Sequence, residues 1–379
     1  MKHLIAFLFI LVSSVPLVAQ NFTINNVTLF DGEKVIKNTS VVIENGIISQ
    51  IGKNIQVRNQ QIDGQGKFLM PAMTNSHVHA FSAMNLMQAA QAGVLNVLDM
   101  HGVEEYQPQI KALSDSRNYA RYFYAGAAAT APEGHGTQYG FPTPTLTIPK
   151  EAESFIDDRV KAGADYIKII VEPWKPTLSH DVVKSLIKET HLKDKVAVVH
   201  ISKVDDAVKV IKNKADGLAH IWWDKPITEQ QLNEVTSEET FFVIPTLLTS
   251  HLVIDQIKKA APDQTFLSNE ELNIEVKRLY NAGVPILAGT DPPNANINYG
   301  TDLYKELVLL SKSGLSNLDA LKSATSYPAT FFKLDKIGFI KKGYKADMLL
   351  LDKNPITDIQ NISTIEAIWK EGRTVKRNE

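Results

Sequence analysis

The sequence predicts an α/β protein, a (β/α)8 TIM barrel beside a small β-sandwich built from both chain ends. Three observations carry that prediction. Eight short apolar runs between residues 71 and 335 alternate with amphipathic stretches of helical spacing. Several runs follow a glycine that ends the preceding stretch, which is the turn of a helix feeding a buried parallel strand. Both ends of the chain show alternating, β-branched runs broken by tight turns instead.

In chain order, residues 1–19 read "MKHLIAFLFILVSSVPLVA". A basic start, an apolar stretch from Leu4 to Val12 and the closing Val18-Ala19 have the shape of a secretory signal peptide cleaved after Ala19. The apolar stretch is shorter than the roughly 20 residues of a membrane helix. The expected location is therefore secreted or periplasmic, with no membrane association after cleavage. Residues 20–70 hold "FTINNVTLF", "SVVIENGIISQIG" and "KFLM", and Asn45-Gly46 between two alternating runs is a hairpin signal. Residues 71–335 hold the eight runs, "AMTNSHVHA", "GVLNVLDM", "RYFYAGAAAT", "DYIKII", "VAVVH", "GLAHI", "FFVIPTL" and "VPILAGTD". Helical spacing appears over 151–163, 179–191, 203–214, 228–237 and 269–282. Residues 336–379 turn β again in "IGFIKKGYKADMLLLD" and "IEAIWKEGRTV". Neither terminal β segment can enclose a core alone, so 20–70 and 336–379 are expected to pack together.

The composition excludes several classes of function. The chain has 379 residues, 44% hydrophobic and 22% charged, with a formal net charge of −2 and no long run of Lys and Arg. Nothing asks for a nucleic acid or an anionic surface, so the expected partner is a small-molecule substrate, with a homo-oligomer left open. The chain contains no cysteine, which removes disulfides, thiolate ligands and a Cys nucleophile. Glycan acceptor patterns at Asn21, Asn26, Asn38 and Asn361 read as chance matches in a bacterial protein.

In such a barrel, chemistry sits at the C-terminal ends of the strands. The first run, "PAMTNSHVHAF", ends with His77 and His79, two residues apart and so on one face. The fourth carries Lys168 between isoleucines, the fifth ends at His200, the sixth at His220 and the eighth at Asp291. Singly, each has an ordinary reading. A lone strand-end His is more often structural, a buried Lys more often ion-paired, and an Asp in "AGTDPP" more often a turn former. Six at one mouth point to a metal site, and imidazole with carboxylate suits zinc and its neighbours. The loop after the third run, "APEGHGTQYG", offers His135 and Tyr139 to a substrate, or is simply a surface loop. His101 at the end of the second run lines the pocket or supports it. Trp222 and Trp223 form a pocket wall or pack beneath a loop.

In these residues the chain resembles the amidohydrolase superfamily, in the branch with a binuclear metal centre and a carboxylated lysine. It is most similar there to the imidazolonepropionase-like and Xaa-Pro dipeptidase-like members. The likeness runs from "PAMTNSHVH" through "GVLNVLDMHG", "GADYIKI", "VVHISK", "GLAHI" and "ILAGTD" to "SATSYPATFFKLDKIGFIKKGYKADMLLLDKNP", nearly the whole mature chain. The resemblance implies the barrel with its composite β-sandwich. It implies two divalent metal ions, zinc foremost. His77, His79 and Asp291 would hold one, His200 and His220 the other, and Lys168 would bridge them as a carbamate formed with CO2. It also implies cleavage of a C–N amide bond, as in a dipeptide or N-acyl amino acid, by a hydroxide shared between the metals. Asp291 would carry the proton and His135 would polarise or hold the substrate. Two positions depart from the family pattern: Ala72 replaces the usual Gly, and Asn75 stands where Asp is frequent. A cyclic-amide or amidine hydrolase, or a deaminase, is the alternative on the same fold. Lys168, and the lack of a Glu in "HISKVDD" after His200, favour amide hydrolysis over it. A catalytically inactive binding barrel is the remote alternative, and the complete ligand set argues against it.

Overall fold

The computed structural model describes residues 21–53, 55 and 58–377, so the expected signal peptide at 1–19 lies outside the described residues. The chain begins with β1 (Phe22–Phe30), β2 (Val35–Glu44), β3 (Ile47–Gly52), β4 (Gln60–Asp63) and β5 (Phe68–Pro71). Asn45 and Gly46 make the β2–β3 turn with φ of 52° and 80°, the left-handed pair that a two-residue hairpin requires.

Strands and helices then alternate. They are β6 (Met73–Val78), α1 (Ala83–Gln91), β7 (Val94–Asp99), α2 (Gln107–Ala112), β8 (Arg121–Tyr124), α3 (Ala152–Lys161) and β9 (Ile167–Ile170). Next come α4 (His180–Leu192), β10 (Ala197–His200), α5 (Val204–Lys212), β11 (Gly217–Ala219), α6 (Glu229–Glu238) and β12 (Phe242–Ile244). The helices α7 (Leu247–Ala260), α8 (Asn269–Asn281), α9 (Asp302–Lys312), α10 (Asn317–Ser323) and α11 (Ser326–Phe331) follow. Local chemistry sets the boundaries. Ser179, Thr228, Ser268 and Ser316 each accept an amide hydrogen of the first turn of α4, α6, α8 and α10. Gly163 and Gly283 take φ of 91° and 85° just past α3 and α8, where a side chain would be strained.

Seven of the eight expected runs contain a strand, and all neighbours pair in parallel: β6-β7-β8 in one sheet and β9-β10-β11-β12 in another. Single bridges extend these sheets, Ala129 to Ile169 and Val243 to Ile286. The eighth run differs from expectation. It pairs through the Val243–Ile286 bridge and a hydrogen bond from Ser76 N to Ala288 O (2.9 Å), not as a regular strand. Pro285 has no amide hydrogen to donate and Asp291 takes φ of 56°, so a ladder cannot run through it. The hydrogen-bonded strands thus make two open parallel sheets. The amphipathic helices lay their apolar faces on them, and one continuous core runs through both. The run "FFVIPTL" also ends sooner than expected, since Pro245 closes β12 and α7 begins at Leu247.

The chain closes with β13 (Met348–Leu351), β14 (Ile365–Lys370) and β15 (Arg373–Thr374). The two ends meet through β5 and β13, antiparallel over four residue pairs from Pro71–Met348 to Phe68–Leu351. The resulting sheet has the order β15-β14-β13-β5-β1-β2-β3, with β4 also on β1. Two stacked layers were expected; one hydrogen-bonded path is found. It curls back on itself, with Ile48 N donating to Tyr344 O (2.9 Å) and Ala346 N to Gly46 O (2.9 Å). Phe22, Ile24, Val41, Ile43, Leu69 and Met348 fill the space inside the curl.

Buried charges fasten this sheet to the segment around β8. The Lys370 ammonium donates to three backbone carbonyls, those of Ser114, Ser116 (2.8 Å) and Tyr119 (2.7 Å). Arg121 forks between Asp347 and Glu371, with 2.7 Å to Glu371 Oε1. Removing a buried charge strands its partners, a larger loss than the net worth of the pairing. Lys370→Met is therefore expected to lower the unfolding free energy by about 3 kcal/mol, read from the midpoint of urea unfolding. An unchanged midpoint would show that the three carbonyls are satisfied without the lysine.

Candidate functional site

A cavity of about 850 Å³ opens where β6, β9, β10 and β11 end. His77, His79, Lys168, His200, His220 and Asp291 all line it. The six predicted residues, spread over more than two hundred positions, are thus brought together. His77, Lys168 and Asp291 are buried, and His79, His200 and His220 are half-buried. Asp291 Oδ1 lies 3.1 Å from His79 Nε2 and 3.3 Å from His77 Nε2. One donor atom from each of these three residues falls within 4.8 Å of the others, a grouping able to hold a metal ion. His220 continues the cluster, its ring centre 4.7 Å from that of His77 and 4.5 Å from that of His200.

The second nitrogen of each ring separates ligand candidates from supports. His79 Nδ1 faces the His101 carbonyl (3.0 Å), His220 Nδ1 faces Thr246 Oγ1 (2.7 Å), and His200 Nε2 faces Glu172 Oε2 (2.9 Å). Each ring is thus anchored by one nitrogen, which is how metal-ligating histidines are held, and the other nitrogen of His79 faces Asp291 Oδ1. His101 differs. Its Nδ1 accepts from Ala128 N (2.9 Å), so the proton sits on Nε2, which donates to Gly136 O (3.2 Å). Burial, then the nearby His79, pulls its pKa to about 3 and keeps it neutral. Both nitrogens of His101 serve the backbone, and neither is left for a substrate.

Burial likewise pulls His77, His200 and His220 well below the usual histidine range, leaving neutral imidazoles. His79 moves the other way, because Asp291 beside it outweighs its burial. Burial pulls Lys168 down to about 7 against the pull of Asp291 and Asp99. Among the described residues, Lys168 Nζ and His77 Nδ1 are buried with no hydrogen-bond partner, and Asp291 Oδ1 has only the two imidazoles beside it. Buried polar atoms are nearly always paired, so an unpartnered Lys168 Nζ beside a carboxylate shared by two imidazoles fits a group that the side chains alone do not supply. Neutral imidazoles, a carboxylate and an amine suit a divalent cation.

The scaffold sets these positions locally. Asn75 accepts from Thr290 N (3.1 Å) and donates to Thr290 Oγ1 (2.7 Å), tying β6 to the turn before Asp291. It thus does structurally what a carboxylate could do there, without the charge. A Cβ on Gly289 would lie 2.6 Å from Ile244 and 3.0 Å from His77, so only glycine lets Asp291 approach that ring. His220, Thr246 and Asp291 hold left-handed φ of 74°, 46° and 56°. Such strain in residues with side chains clusters at functional sites.

Other predictions resolve individually. His135 stands over His200, ring centres 4.9 Å apart, and faces the cavity. Tyr139 lies at the rim, 46% exposed, 6.2 Å from His135. Trp222 is fully buried and donates to Glu275 (2.8 Å), whereas Trp223 lines the cavity. Sequence reasoning missed Glu172. No Glu stands in "HISKVDD" directly after His200, yet one arrives from just beyond β9, buried against His200 and Ser202. Its place four residues after Lys168 was the available signal.

Three comparisons bear on this arrangement. The profile of the Amidohydrolase family matches residues 68–375. Ochratoxinase from Aspergillus niger is 21% identical over 416 residues, covering 91% of this chain and 84% of that protein. The 5'-deoxyadenosine deaminase of Methanosarcina acetivorans is 24% identical over 365 residues, covering 84% and 80%. The crystal structure of a Xaa-Pro dipeptidase with methionine in its active site superposes with a TM-score of 0.79, at 22% identity, over 94% of this chain and 100% of that one.

Glu306 makes one part of the scaffold pH-sensitive. It accepts the amides of Leu247 (2.9 Å) and Leu248 (2.8 Å) at the start of α7, next to the Thr246 that holds His220. Burial pushes its carboxyl from the usual 4.5 up to about 7. Between those values the folded chain keeps a proton that the unfolded chain gives up. Its contribution is complete below the lower value and lost as pH rises through the upper one. Glu306→Gln is expected to remove about 2–3 kcal/mol of pH-dependent stability between pH 5 and 7.5. Urea midpoints across that range test it; parallel profiles for the two proteins would refute it.

Proposed function

We propose, since the chain belongs to the amidohydrolase family of carbon–nitrogen hydrolases, that it cleaves the amide bond of a peptide-like small molecule. A dipeptide or an N-acyl amino acid is the substrate class. The observation that carries this reading is the donor set itself. His79, His200 and His220 are each anchored by one nitrogen, around a Lys168 amine with no partner. In this reading His77, His79 and Asp291 hold one divalent cation and His200 and His220 a second, with zinc foremost for nitrogen and oxygen donors. Such a pair of cations supplies Lewis-acid polarisation of a carbonyl and a lowered pKa for water.

The chain's own residues do the rest. Near neutrality much of Lys168 is free amine, able to add CO2, form an N–C bond and release a proton as a carbamate. The carbamate is an anionic donor able to face both cations. Asn294 Nδ2 holds Asp291 Oδ2 (3.0 Å), which leaves Oδ1 to take the water proton and pass it to the departing amine. His135 orients the substrate above His200, Tyr139 borders the entrance, and His101 positions the loop that carries both. The same reading joins the two parallel sheets and the run 286–291 into one eight-stranded barrel. Support comes from the bridges at Ile169 and Ile286 and the Ser76–Ala288 bond. Residues 71–335 then form the hydrolase unit, and 20–70 with 336–379 the composite β unit. Secretion rests on the leader-like residues 1–19 alone.

A deaminase is the second reading. Glu172 favours it, because a Glu does reach His200 even though none stands in the residues 201–206 directly after it. Ammonia release from an adenosine-type nucleoside would support deamination. Amine release from N-acyl amino acids with no ammonia would support the amidase.

Asp291→Asn is expected to lower kcat/KM by about 1,000-fold or more. Lys168→Ala is expected to reduce bound metal from about two ions per chain to about one, measured by elemental analysis after zinc loading. Two ions retained by the alanine variant would sink the bridging role. Glu172→Gln is expected to weaken the second cation about 10- to 100-fold, read by competition with a chelating dye.

A further inference from the structure

The cavity is far larger than its polar floor requires. At about 850 Å³ it sits high in the roughly 300–1,000 Å³ range of pockets for drug-sized ligands. One wall explains the excess. Helix α7 lines the cavity with Thr249, Ser250, Val253, Ile254, Gln256 and Ile257, and its apolar members stand at i, i+1 and i+4 on one helix face. Beside them Trp223 and Phe266 stack nearly parallel, ring centres 4.9 Å apart and planes 21° from each other. Leu267 N donates to Trp223 O (2.9 Å) and pins that pair together. Trp223, Phe266, Val253 and Ile257 are only half-buried, and none of these wall residues is charged. Trp174 also lines the cavity, 58% exposed and with its ring centre 5.5 Å from that of His135.

We infer that the substrate carries a large flat apolar ring system, seated on the Trp223–Phe266 shelf and α7, with its amide over the histidine cluster. This names the substrate class of the amide-hydrolase reading and rests on it. Half-buried aliphatic and aromatic side chains facing a cavity gain most from a ligand that removes them from water, and flat faces select rings over chains. In the reaction the amide C–N bond breaks, a C–O bond forms with water oxygen, and the water protons end on the amine and the carboxyl. The ring leaves on the acid or on the amine.

The zinc-loaded full chain tests this with N-(2-naphthoyl)glycine and glycine 2-naphthylamide against N-acetylglycine and glycinamide. Binding of 2-naphthoate by calorimetry adds a readout independent of turnover. At least one naphthyl amide should exceed its small counterpart about 30-fold or more in kcat/KM, and which one does assigns the ring to the acid or the amine. Trp223→Ala and Phe266→Ala should each weaken 2-naphthoate about 10-fold, and Trp223→Phe, which keeps a flat ring, by no more than about 3-fold. Small and naphthyl amides cleaved alike, or naphthoate binding unchanged in folded alanine variants, would overturn the shelf and leave amide hydrolysis standing. No amide cleaved, with naphthoate binding still dependent on Trp223, would overturn amide hydrolysis and leave the shelf standing.

Discussion

The structure is organised around buried polar atoms that it does not itself satisfy. Lys168 Nζ and His77 Nδ1 have no partner, and each costs free energy in the folded chain. That cost must be met by apolar burial elsewhere, and the long core beneath the parallel sheets supplies it. The same constraint shapes the surroundings. Left-handed backbone at His220, Thr246 and Asp291, a glycine pressed against His77, and the Asn75 clamp on Thr290 all hold side chains where solvation alone would not put them.

Two buried lysines show how environment decides what a residue can do. Lys370 has three carbonyl acceptors around its ammonium and joins the terminal sheet to the segment before β8. Lys168 has none, and lies beside the histidines on a strand. Burial pulls both down to about 7, so what separates them is the company: acceptors that hold an ammonium at Lys370, and none at Lys168. Sequence alone does not supply that difference, because the set of acceptors is brought by folding.

Much of the site was legible because strand periodicity is simple. His77 and His79 two residues apart, and polar residues closing successive apolar runs, already gave the six cavity residues. Glu172 was not legible, since its meeting with His200 depends on the register of β9 against β10 and on the turn after Ile170. Trp222 and Trp223 were indistinguishable in sequence and split only once α8 brought Glu275 to the first of them. The eighth run looked like a strand by composition, but Pro285 and the φ of Asp291 leave it one bridge. The terminal segments meet through β5 and β13, and their joining into one curled path depends on the contact of Gly46 and Ile48 with 343–346.

Helix α7 and the Phe266 segment supply an apolar wall of the cavity, yet none of the six clustered donors comes from them. Their ties to the cluster lie at the first turn, where Thr246 meets His220, Glu306 of α9 accepts the helix amides and Thr249 donates to Thr290 O (2.6 Å). Inheritance can therefore treat the two separately. Substitutions at Val253, Ile257 or Phe266 can redraw what the protein accepts while the donor cluster passes down intact. Relatives of this chain should accordingly diverge fastest along that helix face, and a laboratory library confined to it would explore new substrates from an unaltered chemical centre.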